Sequence, residues 1–252
     1  MNYLISKFKT NKPLFILFGL QIIFVIFSFI YFISENQLRN SLMSLLTLLL
    51  IPAYLGVEKI LKIKFGYGFL CLVIFLTLGG IVLGPCYDLY MHIPIFDDIL
   101  HLSSGFIFCC LGFTISIQVI KDSRFYIHVL VGVLFSLSVA VVWEMIEYFG
   151  TTFAGIDMQE DTIVKSFRSF YLANSHNDIV VIENIKHTII VYGENEKILI
   201  DGYLDLGLYD TLNDLLICIS GAIIYMFIMF FDKKDYSREL FCVAKWLLIS
   251  YL

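Results

Sequence analysis

The sequence predicts an all-α polytopic membrane protein, in which a bundle of about six transmembrane helices carries a small β-rich outer insertion. Composition is the first observation: 59% of the 252 residues are hydrophobic and only 15% are charged, whereas a soluble domain has about 25% charged residues. The second is that apolar residues form runs of about 20 residues, the length that crosses a bilayer. The third is one sizeable polar stretch, 150–209, late in the chain.

The apolar runs give the expected positions of the spans. They cover residues 14–33, 41–57, 66–84, 99–120, 126–149 and 212–231. The first run is longer than the about 7–15 apolar residues of a secretory signal, so we expect it to be retained as a span. The last apolar stretch, 240–252, is short and contains Lys245. It predicts a helix at the membrane interface, with a seventh span as the alternative.

Basic residues collect on one side of these spans. They are Lys7, Lys9, Lys12, Lys59, Lys62, Lys64, Lys121, Arg124, Lys233, Lys234 and Arg238. Because cytoplasmic loops are enriched in Lys and Arg, both termini are predicted to be cytoplasmic. The chain then divides into spans 1 to 5 over 1–149, an extracytoplasmic insertion over 150–209, and the sixth span with the C-terminal helix over 210–252.

The outer insertion combines two patterns. Residues 155–172 mix charged and apolar side chains, which favours a short surface helix. Three later stretches, 178–183, 187–192 and 197–203, are rich in Val, Ile and Thr, and this composition favours strands. The Gly-Glu-Asn-Glu sequence at 193–196 is typical of a turn. The insertion is therefore predicted to hold a short helix and a small antiparallel β-meander.

Acidic and histidine residues gather at the outer ends of three spans. Three pairs have the spacing that places both members on one helix face: Asp97 with His101, Glu144 with Glu147, and Asp210 with Asp214. At 1.5 Å per residue, the inner member of each patch lies roughly 3–8 Å below the outer surface. The predicted topology therefore puts these groups at one level of one leaflet.

So many carboxylates in one leaflet would repel one another. Three arrangements relieve the repulsion: the carboxylates bind a cation, some stay protonated, or they point into water. Carboxylates and histidine at helical spacing are also the ligands of metal sites in helix bundles. The predicted ligands of a divalent metal, Zn²⁺, Mn²⁺ or Mg²⁺, are His101, Glu144, Glu147 and Asp214. Asp97 or Asp210 is then the expected general base, or the group that orients a ligand.

A simpler interpretation explains part of this pattern. Asp97, Asp98 and Asp210 lie where spans begin, and a helix N-terminus favours negative charge without any ligand. The helix dipole does not explain Glu144 and Glu147, because they lie at the C-terminal end of a predicted span, where the dipole disfavours anions.

Other features limit the function. No basic patch or nucleic-acid motif is present, so nucleic acid is not expected as a partner. Membrane lipids are expected as partners because the predicted spans are apolar. The six cysteines lack metal-site or disulfide spacing and are expected to pack as small apolar residues. Small residues at 103–105 and 220–222 predict close contacts between helices. Asp157, Glu160 and Asp161 follow the fifth span and are expected to be loop residues, with a place beside the acidic site as the alternative.

Three motifs resemble the YjdF-type bacterial inner-membrane proteins, a family of unknown function. The matching residues are Pro94, Phe96, Asp97, His101 and Gly105, then Trp143, Glu144 and Glu147, then Tyr209, Asp210, Thr211, Asp214, Gly221 and Ala222. The resemblance spans about 70–230, with 177–203 as an insertion and 159–161 in place of a Gln-Gly-Asp-like element. It implies a multi-pass protein of the bacterial cell membrane and supplies no reaction.

Three functions fit these observations. The leading hypothesis is a metal-dependent hydrolase or transferase that acts on the head group of a lipid or an envelope precursor from the outer leaflet. The second is a cation or proton transporter, because membrane carboxylates also serve as ion sites. The third is a structural or partner-binding membrane protein without enzymatic activity.

Overall fold

The computed structural model describes residues 12–61, 65–120, 124–173 and 178–231. The predicted C-terminal interfacial helix, 240–252, lies outside these residues. So do most of the basic residues from which the orientation was predicted: Lys7, Lys9, Lys62, Lys64, Lys121, Lys233, Lys234 and Arg238. The cytoplasmic placement of both termini therefore stays a prediction.

Long helices dominate the described chain. They are α1 (Lys12–Ser34), α2 (Leu38–Leu61), α3 (Tyr67–Leu78) with a π-helical turn (Gly79–Leu83), α4 (Gly84–Cys86), α5 (Leu89–His92), α6 (Phe96–Val119), α7 (Phe125–Ala154) and α8 (Leu208–Phe231). Residues with a positive φ lie at two of their ends. Asn36, with a φ of 57°, reverses the chain between α1 and α2, and Gly155, with a φ of 63°, follows the last residue of α7.

Five helical segments in the described residues are long and apolar enough to cross a membrane: Ile16–Ser34, Tyr67–Cys86, Phe96–Val119, Phe125–Phe153 and Leu208–Phe231. They coincide with five of the six expected spans and confirm an all-α polytopic membrane protein. The remaining expected span, 41–57, falls within α2, in which Leu38–Leu50 forms a shorter apolar segment. Its status as a sixth span stays a prediction.

The chain divides into two compact units. Unit 2 is Val141–Leu216, and unit 1 is the rest of the chain. The described core of unit 1 contains the fully buried side chains of Leu70, Ile107 and Phe113. Apolar side chains of α3 and α6 therefore form part of the core of this unit.

Two glycines allow α6 and α8 to approach each other closely within unit 1. A Cβ atom on Gly105 would collide with the backbone carbonyl of Cys218, and one on Gly221 would collide with the carbonyl of Leu102. The expected close contacts of small residues are thus confirmed at both positions. No side chain larger than hydrogen fits there without moving a helix backbone.

The described residues of unit 2 hold six short strands: β1 (Thr162–Val164), β2 (Phe167–Ser169), β3 (Val180–Ile182), β4 (Thr188–Tyr192), β5 (Glu196–Ile200) and β6 (Tyr203–Asp205). They form three antiparallel pairs, β1 with β6, β2 with β3 and β4 with β5. In a meander each strand would pair with the next along the chain, whereas here the first strand pairs with the last. Strands β1 and β2 also occupy the stretch that favoured a surface helix, because their β-branched and aromatic residues suit paired strands.

The predicted turn at 193–196 lies between β4 and β5. Its residues Gly193 and Asn195 have φ values of 55° and 83°, which residues other than Gly and Asn rarely adopt. Thr188 pairs with Ile200 and Tyr192 with Glu196 across the resulting hairpin. Turn chemistry therefore sets the register of this pair.

Candidate metal centre

Three of the predicted metal ligands come together within unit 2. Glu144 and Glu147 lie on α7 one turn apart, and Asp214 lies on the second turn of α8. Each offers a carboxylate oxygen, and these oxygens all lie within 4.8 Å of one another. The three residues are only 5%, 8% and 2% exposed, respectively. We call them the carboxylate cluster.

The position of Glu147 is fixed by a neighbour on its own helix. The indole Nε1 of Trp143 donates a hydrogen bond of 2.8 Å to Oε1 of Glu147. Trp143 is 40% exposed, and tryptophan is common where a membrane helix meets the interface. Its i, i+4 spacing to Glu147 is the signal in the sequence that indicates this second role.

The segment 159–161 packs against the first turn of α8 in the same unit. Nε2 of Gln159 donates a hydrogen bond of 2.9 Å to Oγ1 of Thr211. The backbone N–H of Glu160 donates one of 2.9 Å to Oδ2 of Asp210. A Cβ atom on Gly207, whose φ is 92°, would lie 2.6 Å from Cβ of Gln159. Glycine is thus required where the segment meets the helix start.

Two acidic residues serve the start of α8. Oδ2 of Asp205, three residues before the first residue of α8, accepts a hydrogen bond of 2.9 Å from the backbone N–H of Tyr209 and so satisfies one donor of the first turn. Asp210 accepts the N–H of Glu160 and so joins two segments of the unit. These contacts give Asp210 a structural role, and its predicted role as a general base stays a prediction. The interpretation of acidic residues at helix starts did not include Asp205, although its carboxylate accepts an N–H of the first turn.

Asp161 is not one of the three residues of the carboxylate cluster. Partial burial, together with the neighbouring carboxylates of Asp157 and Asp205, raises the pKa of Asp161 above its ordinary value. Both Asp157 and Asp161 are exposed, as expected for loop residues. Charge repulsion in this part of the insertion thus joins two exposed carboxylates, which water screens, to the half-buried Asp205.

The other two predicted site residues, Asp97 and His101, lie in unit 1. Nε2 of His101 is 3.5 Å from Oδ2 of Asp97, one turn earlier on α6, as the i, i+4 spacing predicts. Nδ1 of His101 is 3.7 Å from Sγ of Cys218, and Sγ of Cys218 is 3.4 Å from Oγ of Ser104. His101 is 6% exposed. It is therefore a buried histidine held between a carboxylate and a thiol.

Cys218 has more contacts than a purely apolar packing residue. Its thiol lies 3.3 Å from the backbone oxygen of His101, a distance that suits a weak S–H donor. The described cysteines, Cys71, Cys86, Cys109, Cys110 and Cys218, are all free thiols. The sequence contained no signal for this contact, because it depends on the close approach at Gly105.

The long apolar helices define this protein as a polytopic membrane protein, and its unit 2 contains a buried carboxylate cluster. Residues 16–235 match the family described as "Predicted membrane protein (DUF2238)", and the chain belongs to that family. This agrees with the resemblance of its motifs to an uncharacterised family of membrane proteins. A comparison with curated proteins found no match. A comparison with solved structures found none either.

Proposed function

We propose that this protein is a metal-dependent hydrolase or transferase of the bacterial cell membrane that acts on the head group of a lipid or an envelope precursor. In this proposal a divalent cation binds to the carboxylate cluster, Glu144, Glu147 and Asp214. The supporting observation is that three buried carboxylates offer oxygens within 4.8 Å of one another. Asp97 and His101 remain the predicted base and fourth ligand.

Electrostatics supports a cation in this position. Two like charges in a site of low dielectric repel by several kcal/mol unless a proton or a cation intervenes. The helix dipole adds little to this cost, because α7 continues to Ala154, about two turns beyond Glu147, whereas the sequence had placed Glu144 and Glu147 at the end of the helix. Oxygen ligands from several carboxylates suit Mg²⁺ and Mn²⁺, and a histidine ligand would favour Zn²⁺ or Mn²⁺.

The expected chemistry follows from such a cation. A divalent ion held by Glu144, Glu147 and Asp214 would supply Lewis-acid chemistry that activates water near neutral pH. It would also neutralise the charge of a phosphate-containing head group. The substrate class follows from location, because a site near the end of two apolar helices meets lipid head groups more readily than soluble metabolites.

A turnover assay tests this function. Purified protein in lipid nanodiscs is incubated with a labelled extract of bacterial membrane lipids, and products are identified by mass spectrometry. We expect head-group release that stops with a chelator and returns with Mn²⁺, Mg²⁺ or Zn²⁺. Glu147→Gln should abolish it, whereas the matched control Glu194→Gln, in the exposed turn of the β4–β5 hairpin, should not.

Two results would contradict the enzyme. One is the absence of any metal-dependent product from a folded sample. The other is an influx of Mn²⁺ or protons into proteoliposomes that depends on Glu147, which would assign the same cluster to a cation carrier.

A further inference from the structure

A polar cavity lies in unit 1, away from the residues used above. Its volume is about 600 Å³, within the range of sites that bind small molecules. It lies where α1 ends and α2 begins, against the segment that follows the π-helical turn. The side chains that matter for its chemistry are Phe27, Tyr31, Arg39, Asn40, Tyr87 and Asp88.

Arg39 brings a positive charge to this cavity. It is the only Lys or Arg between residues 13 and 58 of the sequence. Arg39 lies in the first turn of α2, and that turn contains no acidic residue. A helix N-terminus favours an anion over a cation. Within the described ranges, no ion pair involves Arg39. Both the guanidinium and the helix dipole therefore favour an anionic group at this end of the cavity.

Asp88 brings a negative charge to the same cavity. Its φ of 56° is unusual for a residue other than glycine. Its side chain is exposed. The neighbouring Tyr87 is held in place, because its hydroxyl is 3.0 Å from Oγ of Ser28 and its ring centroid is 5.2 Å from that of Phe32. The cavity thus combines one cation, one anion and fixed aromatic rings.

We propose that this cavity binds the zwitterionic phosphoethanolamine head group of a phospholipid. The guanidinium of Arg39 binds the phosphate through its paired N–H donors. Asp88 accepts hydrogen bonds from the primary ammonium, and the tyrosine rings add cation–π attraction. A choline head group fits less well because its quaternary ammonium has no N–H to donate.

A lipid, rather than soluble phosphoethanolamine, is the expected source of this head group. Phe27 lines the cavity and is 62% exposed, and Ile23 and Ile30 on the same helix are 66% and 61% exposed. These side chains form an apolar strip on α1 along which acyl chains can lie. This inference does not depend on the carboxylate cluster, which lies in unit 2.

Native mass spectrometry of the full chain in detergent tests the proposal. We expect wild-type protein to retain phosphatidylethanolamine in preference to phosphatidylcholine and phosphatidylglycerol. Arg39→Gln should lower the retention of phosphatidylethanolamine about tenfold, as expected for the loss of a charge-assisted contact. Asp88→Asn should remove the preference for ethanolamine over glycerol. The matched control is Arg124→Gln, an exposed arginine at the start of α7.

Three outcomes would overturn the assignment. They are equal retention by wild type and Arg39→Gln, an equal effect of Arg124→Gln, and displacement of the lipid by soluble phosphoethanolamine at the same concentration. If Arg39→Gln does not fold, wild-type protein with a photoactivatable phosphatidylethanolamine provides the second measurement. Crosslinks must then map to residues 27–40 or 85–88, and crosslinks only elsewhere would contradict the proposal.

Discussion

The indole N–H of Trp143 donates a hydrogen bond to Oε1 of Glu147 at 2.8 Å, one turn away on the same helix. A carboxylate held in this way keeps one orientation relative to Glu144 and Asp214. Groups that orient a metal ligand typically contribute about 10–100-fold to metal affinity. The interaction therefore connects a partly exposed aromatic residue with the proposed metal site.

Replacement of Trp143 by phenylalanine tests this connection. Trp143→Phe removes the N–H donor and keeps an aromatic ring, so we expect metal affinity to fall about 10–100-fold while folding is preserved. Isothermal titration of the detergent-solubilised protein with Mn²⁺ measures the change. Tyr148→Phe, at an exposed neighbouring position, is the control and should bind as wild type does. If Trp143→Phe binds Mn²⁺ as tightly as wild type, the indole N–H does not contribute to metal binding.

Asp210 allows a structural role to be separated from a chemical one. Asp210→Asn keeps an oxygen that accepts the N–H of Glu160, whereas Asp210→Ala leaves that donor without its partner. We expect Asp210→Ala to lower the free energy of unfolding by about 1–3 kcal/mol and Asp210→Asn by less. Thermal unfolding gives these values. A stable Asp210→Asn variant that has lost all turnover would instead support the predicted general base.

The close contact between α6 and α8 predicts a large effect of one methyl group. Gly221→Ala would push a Cβ atom against the carbonyl of Leu102, and overpacking of this kind costs about 1–3 kcal/mol. A thermal unfolding series in detergent measures the loss. Gly19→Ala on α1 is a matched control, because no described atom lies within 4 Å of the added Cβ. Equal melting temperatures for the two variants would contradict the packing described for these helices.

The pH dependence of Asp161 has a defined sign. Because the pKa of Asp161 is raised in the folded protein, the folded state holds its proton more tightly than the unfolded state. This contribution favours folding at low pH and is lost as the pH rises through the raised pKa. Asp161→Asn should therefore raise the melting temperature slightly at neutral pH. The gain should vanish below the ordinary pKa of 3.8, and a gain that is equal at both pH values would exclude this cause.

Much of the helical architecture could be predicted because it depends on local composition. The run 99–120 lies within α6 except for Ile120, which follows its last residue, and the run 126–149 lies within α7. An apolar run long enough to cross a bilayer has few alternatives to a helix, since every backbone polar group needs a partner. The i, i+4 pair of Asp97 and His101 could be predicted for the same reason.

Pairing between distant residues could not be predicted in this way. Strand β1 pairs with β6, with Thr162 opposite Asp205, although each strand has only three residues and no distinctive pattern. The contact of Gln159 with Thr211 joins segments that are far apart in the sequence. Such contacts depend on the path of the whole insertion, so neither composition nor spacing indicates them.

Metal content is the most direct test of the central claim that the carboxylate cluster binds a divalent cation. Purified wild-type protein is loaded with Mn²⁺, Mg²⁺ or Zn²⁺, exchanged into metal-free detergent buffer and analysed by elemental mass spectrometry. The account predicts about one ion per chain for at least one of these metals, lost in Asp214→Asn and retained in Glu194→Gln. A folded wild-type protein that retains none of the three metals, or an Asp214→Asn variant that retains as much as wild type, would contradict it.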